Sequence, residues 1–416
     1  MIKKLLPFAR QYRLQAILSP LLILIEVILD VMIPFQMAKI VDVGIPNADL
    51  TYILKIGGMM LLMALGALAA GAGCARVAAV AASGFAKNLS TGLFSRIQSF
   101  AFKNTDKFST PSLITRLTND VTNVRDAFMM CIRMLARSPL MLILATVMAV
   151  RISPSLSVIM LLAIPVLGGF MFLVSRLAFP RFQSMLSKLD SMNARTQENL
   201  IAIRVVKAFV RGDYETEKFE DSAHALKLAQ FRAEKLLILT MPVMQIVMYV
   251  CIISVLWFGS VDILEGSLLT GELISFISYI SQILMSLMMI TAVFINLVLS
   301  SASAKRITEV LDEVPAIADD AAKKDLSVPD GSIRFEDVCF SYADDPDNLT
   351  LSHIDLSIAS GETIGVIGGS GSGKTTLVQL IPRLYDTLSG RVLVGGHDVK
   401  DYTVEHLRQS IGMVLQ

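Results

Sequence analysis

The residues best equipped for chemistry lie late in the 416-residue sequence, in VIGGSGSGKTTL, residues 366–377. Gly368 to Thr375 fits the pattern GxxxxGK(S/T). In such a loop the glycines let backbone N–H groups turn inward around phosphate oxygens. Lys374 is long enough to reach the β and γ oxygens of a nucleotide, and the Thr375 hydroxyl can ligate Mg²⁺. Gly368, Gly369, Ser370, Gly371, Ser372, Gly373, Lys374, Thr375 and Thr376 are therefore candidate nucleotide-binding residues, with Thr375 also a candidate metal ligand. The loop needs a strand before it and a helix after it, whose N-terminal partial charge favours an anion. The apolar run TIGVI, 363–367, predicts the strand, and TTLVQLIPRLY, 375–385, predicts the helix start. A glycine-rich turn that holds no nucleotide is the alternative, and it leaves Lys374 without a task.

Two further strands are predicted upstream, in SIRFEDVCFSY, 332–342, and in LSHIDLSI, 351–358, where Ile354, Leu356 and Ile358 alternate onto one face. Together these patterns predict an α/β nucleotide-binding domain from residue 331 onward. The polar stretch 315–330, with Pro329 and a closing Asp330-Gly331, reads as a linker.

Everything before the linker has a different composition. The chain is 54% hydrophobic and 18% charged, against roughly 25% charged in an ordinary soluble protein, more apolar surface than one soluble core buries. It is predicted to span a membrane, with residues 14–314 as an all-α six-helix transmembrane domain. The apolar segments run Leu14–Phe35, Ile56–Ser83, Cys131–Val150, Ser153–Ser175, Leu236–Gly259 and Glu272–Leu299. Residues 1–13, basic and short, read as an interfacial helix that is retained, not as a cleavable signal. A net charge of +1 without a concentrated basic block argues against nucleic acid as a partner. The four cysteines have neither zinc-like nor CxxC spacing, and the four histidines are scattered, so neither set suggests a metal site.

Orientation follows from loop charge. The stretches VGIPNADLTY, RIS and VDILEGSLLTG in the connections after spans one, three and five contain a single basic residue, Arg151, whereas the connections after spans two and four carry Lys87, Arg96, Lys103, Lys107, Arg116 and Arg125, then Arg176, Arg181, Lys188, Arg195, Arg204, Lys207 and Arg211. The positive-inside rule places these long loops, both termini and the nucleotide-binding region in the cytoplasm, in a multi-pass protein of the cell membrane. The charge periodicity of residues 187–235 suits helices that continue out of the bilayer. In span two, Gly66, Ala70, Cys74, Ala78 and Ala82 recur every four residues, a stripe that would let another helix approach, unless the span is simply alanine-rich. In span one, Glu26 and Asp30 sit one turn apart in apolar sequence, with Arg133 and Arg137 of span three as candidate partners. The cluster reads either as an ion pair that sets packing or as a site for cationic substrates.

With these features in place, the chain resembles a half-transporter of the ATP-binding cassette (ABC) exporter family, six spans fused to a nucleotide-binding domain. Tyr342, in VCFSYADD, occupies the place of the family's adenine-stacking aromatic. Gln416, in LRQSIGMVLQ, matches the glutamine that contacts Mg²⁺ and the attacking water, which makes it the candidate catalytic residue and a second metal ligand. FKNTDKFSTPSLITRLTNDV, 102–121, and ENLIAIRVVKAFVRGDYETEKF, 198–219, resemble the two intracellular loops whose short helices couple the spans to the nucleotide domains, one to its own chain's and the other to the partner's. Asp386-Thr387, where many relatives have Asp-Pro, is a departure.

The resemblance implies ATP and Mg²⁺ as cofactors and a second half-transporter as partner, with a heterodimer favoured over a homodimer because LITRLTNDV and VLWFGSVDILEG look most like one subunit of the bacterial heterodimeric multidrug exporters. It also implies membrane lipid and an amphipathic drug or lipid as substrate. Met285, Met288 and Met289, beside Phe276 and Tyr279 on span six, would suit an adaptable apolar cavity or merely pack. The family's signature, Walker B, D-loop and switch histidine follow the glutamine in relatives and find no counterpart here. The nucleotide-binding region from 331 to 416 therefore reads as incomplete, and the chain as truncated at that loop. The competing reading is a nucleotide-binding membrane subunit, or fragment, without transport of its own.

Overall fold

A computed structural model describes residues 2–319 and 326–414. Its helices are α1 (Ile2–Leu5), α2 (Arg13–Lys39), α3 (Leu50–Gln98), α4 (Phe102–Phe108), α5 (Thr110–Thr115), α6 (Val121–Met130), α7 (Ala136–Ile152), α8 (Pro154–Ile201), α9 (Ile203–Ala208), α10 (Gly212–Ile238), α11 (Thr240–Leu264) and α12 (Thr270–Asp312). Strands β1 (Ile333–Phe340) and β2 (Leu351–Ile358) follow, then α13 (Lys374–Leu380), β3 (Ser389–Val394), β4 (His397–Asp398) and α14 (Val404–Gln409). Six continuous helical stretches are long and apolar enough to cross a membrane, and each covers one of the six apolar segments, the fourth from Pro154 with Ser153 as its cap. Several run far past the apolar sequence: α3 has 49 residues and α8 has 48, about 70 Å each, more than twice a bilayer core. The charged sequence 187–235 is helical almost throughout, as its periodicity predicts.

The chain divides into two compact units. The larger comprises Ala9–Phe85 and Arg125–Ser301 and holds the membrane helices. Its core is built from Ile23, Val27 and Val31, one turn apart on α2, against Phe276, Tyr279, Ile280 and Ile283 of α12. Polar groups fasten α12 to α2 and to the π-helical turn Ile40–Gly44 that follows it. The Tyr279 hydroxyl donates to the Val31 carbonyl at 2.8 Å, Ser275 donates to the Pro34 carbonyl at 2.5 Å, and the Gly271 N–H donates to Asp42 Oδ1 at 2.6 Å. Phe276 and Tyr279 are thus buried core residues, while Met285 is exposed.

The small-residue stripe of α3 is a packing face. Ala70, Cys74, Ala78 and Ala82 are buried, Ser19 Oγ lies 3.3 Å from Cys74 Sγ, and a Cβ on Gly66 would come within 3.2 Å of Leu29 of α2. Nearby, Arg137 bridges both carboxylates of α2, at 3.2 Å to Glu26 and 2.9 Å to Asp30. Arg133, one turn earlier, is exposed and makes no ion pair among the described residues. Cys131–Leu135, immediately before α7, is π-helical, so the backbone between the two arginines does not follow an uninterrupted α-helical face.

The smaller unit comprises Met1–Phe8, Ala86–Val124 and Ala302–Gln416. Its antiparallel sheet has the order β2-β1-β3-β4. Phe335, Val338, Phe340, Val392 and Val394 bury one face, with Leu380 of α13, Leu407 of α14 and Tyr402, whose hydroxyl donates to the Val394 carbonyl at 2.8 Å. The run TIGVI does not form the predicted strand: residues 363–367 belong to no ladder, and Ile367 is 98% exposed. A buried strand is made by its neighbours, and no described strand lies alongside this one to pair with its N–H and C=O groups.

Residues 313–319 are held by α4. Asn104 donates to the Val314 carbonyl at 2.9 Å and accepts from the Ala316 N–H at 2.8 Å, while Lys107 pairs with Glu313 at 2.7 Å. The hydrogen bond from Lys107, helped by Asn104, holds the Glu313 carboxyl below the usual range. A carboxyl lowered on folding contributes stability above its unfolded pKa and loses it as pH falls through the folded value. Acidification below about pH 4.5 should therefore loosen this attachment in the wild type. Lys107→Ala should flatten that acid limb, read as the pH dependence of proteolysis within 313–319.

Candidate functional site

The phosphate loop is an irregular, exposed turn that runs directly into α13, whose first residue is Lys374. Gly371 and Gly373 have φ of +80° and +85°, which side chains with a Cβ rarely adopt. A Cβ on Gly373 would also meet Leu351 at 2.8 Å, so the loop sits tightly against the start of β2. At Gly369 a Cβ would meet nothing within 4 Å, leaving the inner curve of the loop open. Lys374 folds back over this curve, with Nζ donating to the carbonyls of Gly368 at 2.9 Å and Gly369 at 2.6 Å and lying 3.4 Å from Ser372 Oγ. Among the described residues this ammonium has only neutral acceptors and no counter-charge, so the loop presents it as a cation among backbone groups.

Tyr342, on the segment leaving β1, is brought to the same place. Its hydroxyl lies 3.0 Å from Thr376 Oγ1 and donates to Gln379 Oε1 at 3.2 Å. The ring is 46% exposed, with one edge against Phe340 and another against Tyr385, the centroids 4.9 Å and 5.2 Å away. The structure therefore unites Tyr342 with the loop residues 368–376 that the sequence singled out. Gln416 lies outside the described residues.

Tyr385 has no place in the motif reading, although it stands at the hub of this region. It packs against Phe340 and Tyr342, and against Phe102 of α4 at 6.1 Å. Its hydroxyl donates to Asp106 of α4 at 2.7 Å. Burial, and then the neighbouring Asp106 carboxylate, push the Tyr385 phenol far above its ordinary pKa, so it remains a donor throughout the physiological range. On the other side of Tyr342, Lys103 of α4 pairs with Asp344. Helix α4 therefore holds the aromatic segment at both Tyr385 and Asp344, and the lone sequence signal for this was the tyrosine at the end of TTLVQLIPRLY.

On the second long loop, α9 is short and its apolar residues face outward. Val205 is exposed, and so are Leu200, Ile201, Phe209 and Val210 in the flanking turns, Val210 at 88%. Single exposed apolar residues are ordinary, but this many within eleven positions form a patch suited to a partner.

Comparison with known proteins agrees with this architecture. The family described as the ABC transporter transmembrane region matches residues 16–287, and the family described as ABC transporter matches residues 351–416. The "uncharacterized ABC transporter ATP-binding protein YfiB" of Bacillus subtilis is 36% identical over 416 residues, all of this chain and 72% of the relative. A "fatty acid ABC transporter ATP-binding/permease protein" of Mycobacterium bovis is 31% identical over 306 residues, covering 73% of this chain and 48% of that protein. An "ATP-dependent lipid A-core flippase" of Desulfotalea psychrophila is 30% identical over 315 residues, covering 74% and 53%. With six membrane helices ahead of a phosphate loop, and a transmembrane-family match over more than half its length, the chain belongs to the ABC transporters, as a half-transporter of the exporter type.

Proposed function

We propose that the chain is one half of a dimeric, ATP-driven exporter that moves amphipathic molecules, drugs or lipids, out of the cytoplasm or the inner leaflet by alternating access. The observation that carries this reading is the convergence of Lys374, the open curve at Gly369 and the partly exposed ring of Tyr342 on one site. The phosphates displace the Gly368 and Gly369 carbonyls from Lys374, exchanging neutral acceptors for charged ones, and the glycine N–H groups hold the remaining oxygens. Adenine lies on the exposed face of Tyr342, whose orientation is held by Thr376 and Gln379. Thr375, with Gln416, would hold Mg²⁺, which neutralises phosphate charge when bound.

Closure of two such domains on ATP would favour one arrangement of the spans, and the differential affinity for that state drives the change. The grip of α4 on Tyr385 and Asp344 supports transmission within the chain, and the exposed patch around α9 supports a second half-transporter as its partner. A heterodimer is favoured by the resemblance to paired multidrug exporters. The names of the relatives that act on fatty acid and lipid A-core support a lipid among the amphipathic substrates. Loss of ATP-dependent substrate movement in Lys374→Ala, with folding intact, tests the assignment; retained movement would refute it.

The charge asymmetry of the loops supports an inward-facing N-terminus and nucleotide domain at the cell membrane. Cysteines placed at Asn47 and Glu265 should react with an impermeant thiol reagent added to intact cells, and one at Ser187 should not. Glu265 is preferred to its neighbour Gly266, whose φ is +76°. Cys74, Cys251 and Cys339 are buried and Cys131 is half-buried, so Cys131→Ser is made in the background for this labelling. Labelling at Ser187 from outside would reverse the topology.

A further inference from the structure

Between α8 and α12 lies an open crevice of about 350 Å³, within the range of small-molecule sites. Phe172, Phe179 and Phe182 of α8 form one wall, and Phe294 and Val298 of α12 form the other. The single ionisable residue lining it is Arg176. Among the described residues its guanidinium makes no ion pair and no hydrogen bond, unlike Arg137, which is saturated by two carboxylates. Arg176 stands 22 residues beyond Pro154, the start of α8, about 33 Å along the helix, so it marks the far edge of a bilayer core of about 30 Å. The phenylalanines on either side of it in sequence place apolar surface at and just beyond that edge.

We propose that this crevice binds a single acyl chain carrying an anionic head group, the chain lying against the phenylalanines and the carboxylate or phosphate taken by Arg176. The assignment rests on the exporter reading only in making such a molecule a substrate. A planar guanidinium offers paired donors that match carboxylate and phosphate oxygens. A cationic amphiphile would meet like charge at the same rim, and a neutral one would find the apolar walls but leave the guanidinium to water. An arginine that merely snorkels from a smooth helix face has no concave apolar site beneath it. Here the cation and the concavity coincide.

The test uses the full-length protein with its partner, in phosphatidylcholine nanodiscs without nucleotide, so its outcome does not depend on transport. Diazirine-bearing hexadecanoic acid, the corresponding alcohol and a diazirine phosphatidylglycerol are compared by photolabelling mapped to residues 172–182 and 294–298. The acid or the phosphatidylglycerol should label these segments at least about tenfold more than the alcohol, the scale of one charge-assisted bond. Whichever does so identifies a free fatty acid or a bilayer lipid as the source. Arg176→Gln should bring the ratio near one, and Arg176→Lys should keep most of it, which also controls for folding. Equal labelling by acid and alcohol, a ratio unchanged in Arg176→Gln, or no labelling of either segment because the second half fills the crevice would each overturn the proposal. Failure of the exporter reading would appear separately, as absence of Lys374-dependent substrate movement.

Discussion

A polypeptide of these 416 residues should hydrolyse ATP no faster than its Lys374→Ala variant, whereas a half-transporter carrying these residues at the full length of its relatives, paired with its second half, should lose turnover by about 10²–10³-fold on the same substitution, the scale of losing one preorganised charge partner. Phosphoryl transfer depends on positioning and on electrostatic stabilisation more than on covalent chemistry from the protein. Lys374 and Thr375 can hold phosphates and Tyr342 can seat a base, but none of them places a water in line with the γ-phosphate. The family's groups for that task, a Walker B carboxylate and the partner's signature sequence, find no counterpart in residues 1–416. A coupled-enzyme phosphate assay on the two polypeptides decides the matter. Lys374-dependent turnover by the 416 residues alone would mean that other residues orient the water.

The second large effect is expected at Arg137, which among the described residues is the one cation paired with Glu26 and Asp30 in the membrane core. Arg137→Gln leaves two carboxylates at membrane depth without their counter-charge, where an uncompensated ionisable group costs about 2.5–3.5 kcal/mol. Expression and melting temperature in detergent should fall sharply. Adding Glu26→Gln and Asp30→Asn should restore much of the loss, because three neutral, hydrogen-bonding side chains of similar shape need no counter-charge. A stable Arg137→Gln single variant would show that water or lipid already solvates the acids. If Glu26→Gln with Asp30→Asn expresses normally yet loses transport of cations alone, the cluster is a substrate site and its packing role is secondary.

How legible these features were in the sequence depended on how local their causes are. The six spans follow from long apolar runs, and their extension into water follows from a charge pattern that keeps helical period beyond Ser175. The close approach of α2 and α3 was visible in the repeat from Gly66 to Ala82, because a helix face without bulk admits a neighbour whatever that neighbour is. The phosphate loop was legible because its motif is contiguous. TIGVI misled because apolar alternation reports suitability for a sheet, whereas a strand exists only where other strands supply hydrogen bonds. Arg133 and Arg137 looked equivalent one turn apart, and the π-helical stretch that separates their environments leaves no mark in composition. The bond from Tyr385 to Asp106 joins positions far apart in sequence and obeys no spacing rule.

The bonds that fasten α12 to α2 have a consequence for how the chain can vary. The Tyr279 and Ser275 hydroxyls end on main-chain oxygens of α2, at Val31 and Pro34, and not on its side chains. Every residue carries such an oxygen, so those bonds set no demand on what stands at position 31 or 34 beyond the shape of the helix. The demand falls on α12 alone, where exchanging Tyr279 for phenylalanine or Ser275 for alanine deletes the donor outright. Span one can thus change the side chains it shows its surroundings while keeping its seat, and tolerance to mutation along this helix pair should be lopsided, loose on α2 and strict on α12.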